Sequence, residues 1–419
     1  MSQLQTVRGT RDLFQDTNHR HRFIEATASR VVELYGFDEI QTPIIEPAGL
    51  FLRSLGDTSD IVTKQMYLFK DLGGDELVLR PEGTAGVARA FIQGGMSQLT
   101  PLKLFYRGPM FRYERPQKGR YRQFHQFGVE LLGVEKPQAD LEVLACGYRI
   151  LKELGVLGSI TLHLNTIGDE ASRTAYRDVL VAYLNTRKSE LSQDSLSRLE
   201  KNPLRILDSK DPGDRSVVAS APKLFDSLTP AAKAFFTAVL TGLKALEIPF
   251  IIDDNLVRGL DYYCHTVFEF TTDALGSQNA VLAGGRFDGL IKDLGGPETP
   301  GVGWAFGIDR LAELLPNLPA SPEPIALVPL GDEAEKAAIL LAEKLRAVGL
   351  KTDIGYSGNL AKRMKRADKI GARAAVIIGS NELAAGIAQV KWLGTGVQES
   401  IALSELGTRL TQFPASASK

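Results

Sequence analysis

Only two cysteines, Cys146 and Cys264, stand in the 419 residues, too few for a disulfide framework and without the spacing of a metal site. Histidine is scarce too: five scattered residues form no ligand pattern, so no resident metal is expected. Net charge of one sign is missing. Lys and Arg number 49 against 50 Asp and Glu, so any nucleic-acid contact must come from local clusters. No apolar run approaches the ~20 residues of a membrane span, and the opening MSQLQTVRGTRDLFQD has no stretch of signal-peptide length. Phosphate-loop motifs are also lacking. There is no GxxxxGK[ST] sequence, and Gly301, Gly303 and Gly307 have the wrong spacing for GxGxxG. With 44% hydrophobic and 24% charged residues, the chain reads as globular, with about two or three domains. The expected setting is reduced and cytoplasmic, without membrane contact.

Organisation follows from the punctuation. His19 to Tyr35 reads as a helix closed by Gly36. The strand in DEIQTPIIE carries Pro43, which donates to no ladder and so belongs at an edge or against another subunit. A hairpin turning at Gly73-Gly74 follows, then a helix from Gly83 to Gln93 and two longer arms, KLFYRGPMFRYE and YRQFHQFGVELLG. Asp140 to Leu154 is a periodic helix. Helices dominate from about Asp169 to Leu246, joined by polar stretches such as KNPLRILDSKDPGD that read as surface linkers. Strands return in PFIID and TVFEFTT, then in a glycine-rich region from Gly284 to Gly307. The proline-rich LPNLPASPEP marks a boundary near residue 321. Beyond it, alternating strands and helices predict a small α/β domain over 322–419 with a largely parallel sheet. Asp332 and Glu335 have capping-box spacing at the start of its first helix.

The stretch FRYERPQKGRYRQFHQFGVE concentrates Arg112, Arg115, Lys118, Arg120 and Arg122 on one hairpin. By strand alternation Arg122, Phe124, Gln126, Gly128 and Glu130 share a face, and Arg112, ending the opposing arm, can face the same floor. Gly128 leaves room between Gln126 and Glu130, whose Cα atoms should lie roughly 13 Å apart. A solvated basic turn would have the same composition. An arginine fork beside an amide and an acid, however, suits a ligand carrying phosphate or carboxylate oxygens and other polar groups. Two further clusters, LVRGLDYYCH with Arg258 and PGVGWAFGIDRL with Arg310, offer more cations. A nucleotide would then be held by arginines and glycine-thin strands.

These segments together resemble the class II aminoacyl-tRNA synthetases in their histidyl form. YGFDEIQTPIIE is similar to the first, dimer-forming motif, the arginine-rich hairpin to the second, and GVGWAFGIDRL to the third. RGTRDLF, RPEGTAG and LVRGLDYY resemble stretches particular to the histidyl enzymes. The class I signatures are absent. The resemblance implies an α+β catalytic domain on a mainly antiparallel sheet over 1–321, with a helical insertion at about 169–246, and a C-terminal anticodon-binding-type α/β domain. It implies ligation of L-histidine to histidine tRNA through a histidyl-adenylate, with ATP as substrate and Mg²⁺ on its phosphates, in a homodimer.

By the same resemblance Arg112 and Arg258 meet the α-phosphate and Arg310 the far end of the triphosphate, with Gly303 beside the nucleotide. Glu82, Gly83, Thr84, Gln126, Glu130, Tyr262 and Tyr263 surround the histidine. Arg115, Gln117 and Arg120 meet the acceptor end of the tRNA. Lys362, Arg363 and Arg366, on the helix LAKRMKRADKIG, are expected to bind the tRNA as part of the anticodon-binding module, and the insertion is expected to clamp the acceptor arm. A Lys/Arg run on a helix is equally the mark of a solvated face. The sequence departs from the pattern at Phe287, where GGRYD would be expected, and in Cys264-His265 after the tyrosine pair. His125 and His265 read as packing residues and Cys264 as a small buried hydrophobe. Two other readings are a histidine-sensing regulatory subunit of ATP phosphoribosyltransferase and a domain that senses uncharged tRNA. The first typically lacks the C-terminal domain, and the second accompanies a kinase of which no motif is present.

Overall fold

The computed structural model describes residues 4–412 apart from 57–58, 118, 258–259, 261, 276–278, 317 and 319–321. The chain divides into two compact units, Met1–Asn317 and Leu318–Lys419.

In the first unit, helix α1 (Asp16–Leu34) ends at a left-handed Gly36, φ 77°. The Pro43 segment then splits into two short strands, β1 (Asp38–Glu39) and β2 (Ile45–Pro47), with the proline between them. After α2 (Ala48–Leu55), strands β3 (Tyr67–Lys70) and β4 (Glu76–Leu79) form the hairpin at Gly73-Gly74, and β4 pairs with β2 to complete a small sheet. Helix α3 (Thr84–Gln93) leads to the long arms β5 (Leu102–Phe111) and β6 (Gln123–Leu132), followed by α4 (Pro137–Glu153) and β7 (Thr161–Thr166). Helices α5 (Glu170–Thr186), α6 (Gln193–Lys201), α7 (Pro212–Val218) and α8 (Pro230–Ala245) intervene before β8 (Ile251–Ile252). Strands β9 (Cys264–Thr271) and β10 (Ala280–Arg286), helix α9 (Leu290–Asp293), strand β11 (Gly301–Gly307) and helix α10 (Ile308–Leu314) complete the unit.

Among the described residues, eight strands form the main sheet in the order β1-β5-β6-β11-β10-β9-β7-β8. Every neighbouring pair is antiparallel except β1 with β5 and β7 with β8 at the two edges. Residues on β6 alternate, so Phe127, Val129 and Leu131 turn to one face and are buried. There Phe127 stacks on Phe105 at 5.4 Å and on Phe306 at 5.3 Å, and the Trp304 indole N–H donates to the Val143 carbonyl of α4 at 2.8 Å. Burying each such aromatic contributes about 1.5–3 kcal/mol. This packed layer fixes the sheet and leaves the opposite face of β6 for Gln126 and Glu130.

The second unit begins with β12 (Ile325–Pro329), α11 (Asp332–Ala347), β13 (Thr352–Ile354), α12 (Leu360–Lys369) and β14 (Ala374–Ile378). It ends with α13 (Ser380–Ala384), β15 (Ile387–Trp392), β16 (Gln398–Ala402) and α14 (Leu406–Gln412). Its sheet is mixed, where a largely parallel one was expected. β12 pairs parallel with β13 and β14, but β15 pairs antiparallel with β14 and β16. The join 379–386 is too short for the crossover of about a dozen residues that parallel pairing needs. The Asp332 capping box does not form either. Gly331 is the N-cap of α11, and Glu335 is drawn instead into an ion pair with Arg363.

Candidate active site

The face of the sheet away from the aromatic layer floors a cavity of about 810 Å³ in the first unit, within the ~300–1,000 Å³ usual for ligand sites. Strand register orders its walls. Gln126 lies opposite Gly307 on β11 and Glu130 opposite Gly303, so one end of β6 adjoins α10 and the other does not. Arg310 is the third residue of α10 and Arg112 follows β5, whose Phe111 pairs with Gln123. The two arginines therefore lie toward the Gln126 end, and Glu130 marks the far end. Both line the cavity, as do Glu82, Thr84, Gln126, Tyr262, Tyr263 and Gly303. Gly83 is buried at the start of α3 and is not among the walls. Arg258, the third arginine expected there, lies outside the described residues.

At the Glu130 end, polar groups are buried beyond what their protein partners satisfy. Glu130 is 1% exposed; one carboxylate oxygen accepts from the Thr84 hydroxyl at 2.7 Å. Its other oxygen and the Tyr106 hydroxyl are buried there with no hydrogen-bond partner among the described residues, as is the Gln126 amide oxygen nearer the arginines. Burial, with Glu82 adding repulsion, holds the Glu130 carboxyl well above the usual carboxylate range. Burial also raises Glu82, although its oxygens accept from the backbone N–H groups of Thr84 (2.7 Å) and Ala85 (2.9 Å) that open α3. Unpaired buried acceptors cost about 1–3 kcal/mol each, a cost that a ligand bearing N–H donors removes.

Two glycines shape this end. A Cβ at Gly303 would lie 2.0 Å from a Glu130 oxygen, so the bare strand is what admits the carboxylate. The gap expected at Gly128 is not open: a Cβ there would lie 2.4 Å from the Tyr106 ring, which comes across from β5 to fill it. Tyr106 is thus part of the floor. Phe287 needs no hydroxyl in its place, being 2% exposed and edge-on to Tyr262 at 5.8 Å.

The other end is cationic. The Arg112 side chain donates to the Pro81 carbonyl at 2.8 Å and stands over the Phe124 ring at 5.3 Å. Burial lowers both Arg112 and Arg310 from the ordinary arginine value, against the pull of Glu114 on each. A guanidinium does not lose its proton at neutral pH, so these are charges held in poor solvation, suited to an entering anion. Arg120 also faces the cavity, paired with Glu114 at 2.8 Å. Arg115 and Gln117 are exposed and outside the walls; Gln117 and Arg120 close the hairpin tip through reciprocal backbone bonds. Arg122 is not on the shared floor. It precedes β6 and stacks on Tyr113 at 3.8 Å.

His125 lies beside Asp309, and His265 packs on Phe235 at 4.7 Å. Cys264 is buried, which pushes its thiol up to about 12. The segment read as a surface linker supplies a wall: Leu207, Ser209, Lys210 and Arg215 line the cavity. Asp214, fully buried, anchors it by accepting from the hydroxyls of Ser192 (2.8 Å), Ser195 (2.6 Å) and Ser209 (2.6 Å). Ser192, Ser195 and Ser209, in LSQDSLSRLE and LDSKDPGD, were the available signal.

In the second unit, Lys362 and Arg366 are exposed on α12, and Arg366 grips Asp353 at 2.8 and 3.0 Å. Arg363 is placed otherwise than expected. It is 5% exposed and donates to the carbonyls of Gly358 and Pro329 and to Glu335. It therefore ties α12 to its own domain, with no surface to offer a nucleic acid.

Comparison with known proteins gives a consistent match. The family model for histidyl-tRNA synthetase covers residues 9–311, and that for an anticodon binding domain covers 325–413. A histidine--tRNA ligase of Rhodospirillum rubrum is 58% identical over 99% of this chain and 100% of its own length. One of Gluconacetobacter diazotrophicus is 55% identical over 96% of this chain and 97% of its own. The crystal structure of apo S. aureus histidyl-tRNA synthetase superposes with a TM-score of 0.83 at 36% identity, covering 98% of this chain and all of that one.

Proposed function

The chain belongs to the histidyl-tRNA synthetase family, and we propose on that basis that it joins L-histidine to the 3′-terminal adenosine of histidine tRNA. In the first step a histidine carboxylate oxygen attacks the α-phosphorus of ATP and pyrophosphate leaves. In the second the terminal tRNA hydroxyl attacks the acyl carbon and AMP leaves. The observation that carries this reading is the polarity of the cavity, with half-buried guanidinium groups at one end and, at the other, the buried Glu130 carboxyl, one oxygen of which has no partner among the described residues. Two anions must meet in the first step, so fixed cations contribute more than a strong base does. Arg112 serves the α-phosphate and the histidine carboxylate, and Arg310 the distal phosphates. Glu82, Thr84 and Gln126 hold the amino and carboxyl groups. Glu130, with Tyr106 and Tyr263 beside it, takes the imidazole.

Mg²⁺ would accompany ATP in this scheme and would neutralise part of the phosphate charge. A hard cation takes oxygen ligands, and Glu269, which lines the cavity within electrostatic reach of Arg310, would offer one. Exposed Arg115 and Gln117 meet the acceptor end, and the α12 face bearing Lys362 and Arg366 serves the anticodon. A homodimer would cover Ile45, Leu68 and Phe69, apolar side chains that the small sheet leaves exposed. The cytoplasm is the setting for this reaction; among the described residues no helix is long and apolar enough to cross a membrane. The regulatory-subunit reading is not favoured, because curated ligases match both units of the chain.

The decisive assay is histidine-dependent exchange of pyrophosphate into ATP, followed by charging of histidine tRNA. Exchange without charging removes the nucleic-acid half of the proposal, and neither activity removes all of it. Within that assay, Glu130→Ala is expected to raise the histidine KM about 100-fold, the cost of one charged hydrogen bond, with ATP KM nearly unchanged. Equal losses for both substrates would exclude the assigned role.

A further inference from the structure

Arg11 lies far from Arg310 in sequence, yet its Nη2 donates to the Asp309 carboxylate at 2.8 Å. The same guanidinium lies 3.9 Å from the centre of the Tyr121 ring, on the returning limb of the arginine-rich hairpin. Next to it, the Gly9 carbonyl accepts from the Arg122 backbone N–H at 2.7 Å. The second Asp309 oxygen accepts the His125 backbone N–H at 2.7 Å, immediately before Gln126 on β6. One carboxylate thus joins α10, β6 and the N-terminal segment, and Arg11 adds the hairpin to them. Gly119 at the hairpin tip lies over the Arg310 side chain, where a Cβ would come within 3.4 Å of it.

We propose that Arg11 is a positioning residue for the ATP end of the site, fastening the hairpin wall to the helix that presents Arg310. The inference rests on the synthetase reading above. His21 and His125 flank Asp309, each with a ring nitrogen 3.5 Å from it, and together the three have the make-up of a metal site. Both carboxylate oxygens are already engaged, however, and a guanidinium stands on one of them, which argues for a structural hub. Burial holds the His21 imidazole below its ordinary value, against the attraction of Asp309. For Asp309 itself, burial pushes the carboxyl up, but His125, Arg11 and His21 together hold it at about 2. Asp309 therefore stays ionised beside Arg11 at neutral pH.

The test uses the full chain. In pyrophosphate exchange, Arg11→Ala is expected to raise the ATP KM roughly tenfold or more while the histidine KM stays within about twofold, since Thr84 and Glu130 are not touched. Arg11→Lys keeps the charge on Asp309 but loses the flat stack on Tyr121, and its ATP KM is expected between the other two. Trypsin cleavage after Arg120 and Arg122 should be faster in Arg11→Ala, with ATP restoring protection. Parallel rises in both KM values, or unchanged ATP KM and cleavage with only a lower melting temperature, would overturn the proposal. If Arg11→Ala does not fold, Arg11→Lys decides by the same split. Absence of exchange in the parent chain would instead sink the synthetase reading, while the proteolysis comparison would still report on the hairpin.

Discussion

Replacing Arg112 by alanine is expected to cut histidine-dependent pyrophosphate exchange about 10³-fold, the usual loss when one fixed group that stabilises developing charge is removed. The expectation follows from where the charge is kept. Arg112 is lowered from the ordinary arginine value chiefly by burial, and Glu114, Glu82 and the Tyr262 phenol pull the other way. A triphosphate entering that end meets a half-buried cation, so the interaction is stronger than on an open surface. Most of the loss should fall on kcat, because charge gathers on the α-phosphate oxygens as the transition state forms. Arg112→Lys should recover only part of the activity, since an ammonium cannot repeat the planar fork. One control matters. Arg112 also donates to the Pro81 carbonyl, next to Glu82, so histidine binding must be measured separately. Exchange within tenfold of the parent would show that Arg112 is not the α-phosphate group.

Local pattern carried the site far, because alternation on β6 is a short-range rule. Phe124, Gln126 and Glu130 lie on one face and line the cavity together, as period two requires. The same rule failed at its margin. Arg122 precedes the regular strand and turns to Tyr113, where cation and ring meet. Gly128 was legible as a missing side chain, but Tyr106, which fills the space, belongs to the neighbouring strand, and its register is not written in either arm alone. Arg363 fell to a similar limit. In LAKRMKRADK it is one basic residue among several, and only the turn of α12 against β12 and α11 buries it. The wall around Ser209 to Arg215 was read as a linker because its polarity suggested solvent, whereas a buried aspartate satisfies that polarity internally. Sequence pattern thus located side chains relative to their own element, and the errors gathered where a second element supplied the partner.

The buried pair of Arg286 and Asp140 is such a partnership, and removing one member is the second large effect expected. Both residues are 0% exposed, and the pair is 2.5 Å apart. Arg286 also donates to the Val134 carbonyl at 2.9 Å and to Asp288 at 3.0 Å, and it faces the Phe235 ring at 5.2 Å. It thereby fastens β10 to the start of α4 and to α8. Arg286→Met should destabilise the first unit by about 3–5 kcal/mol, because Asp140 is left as an uncompensated buried charge. The paired change Arg286→Met with Asp140→Leu should recover much of that loss, which separates the cost of a stranded charge from the worth of the pair. The pH dependence has a definite sign. Burial already raises the Asp140 carboxyl, and Arg286 opposes the rise. Without the arginine the folded-state pKa climbs further above its unfolded value. The Arg286→Met protein is therefore most stable at low pH within the range where other carboxylates remain ionised, and it loses stability as pH rises through that folded-state pKa. Urea unfolding followed across that range should show the single variant weakening with pH relative to both the parent and the double variant. A single variant that follows the parent at every pH would mean that Asp140 finds another partner, and the pair would not hold β10 to α4.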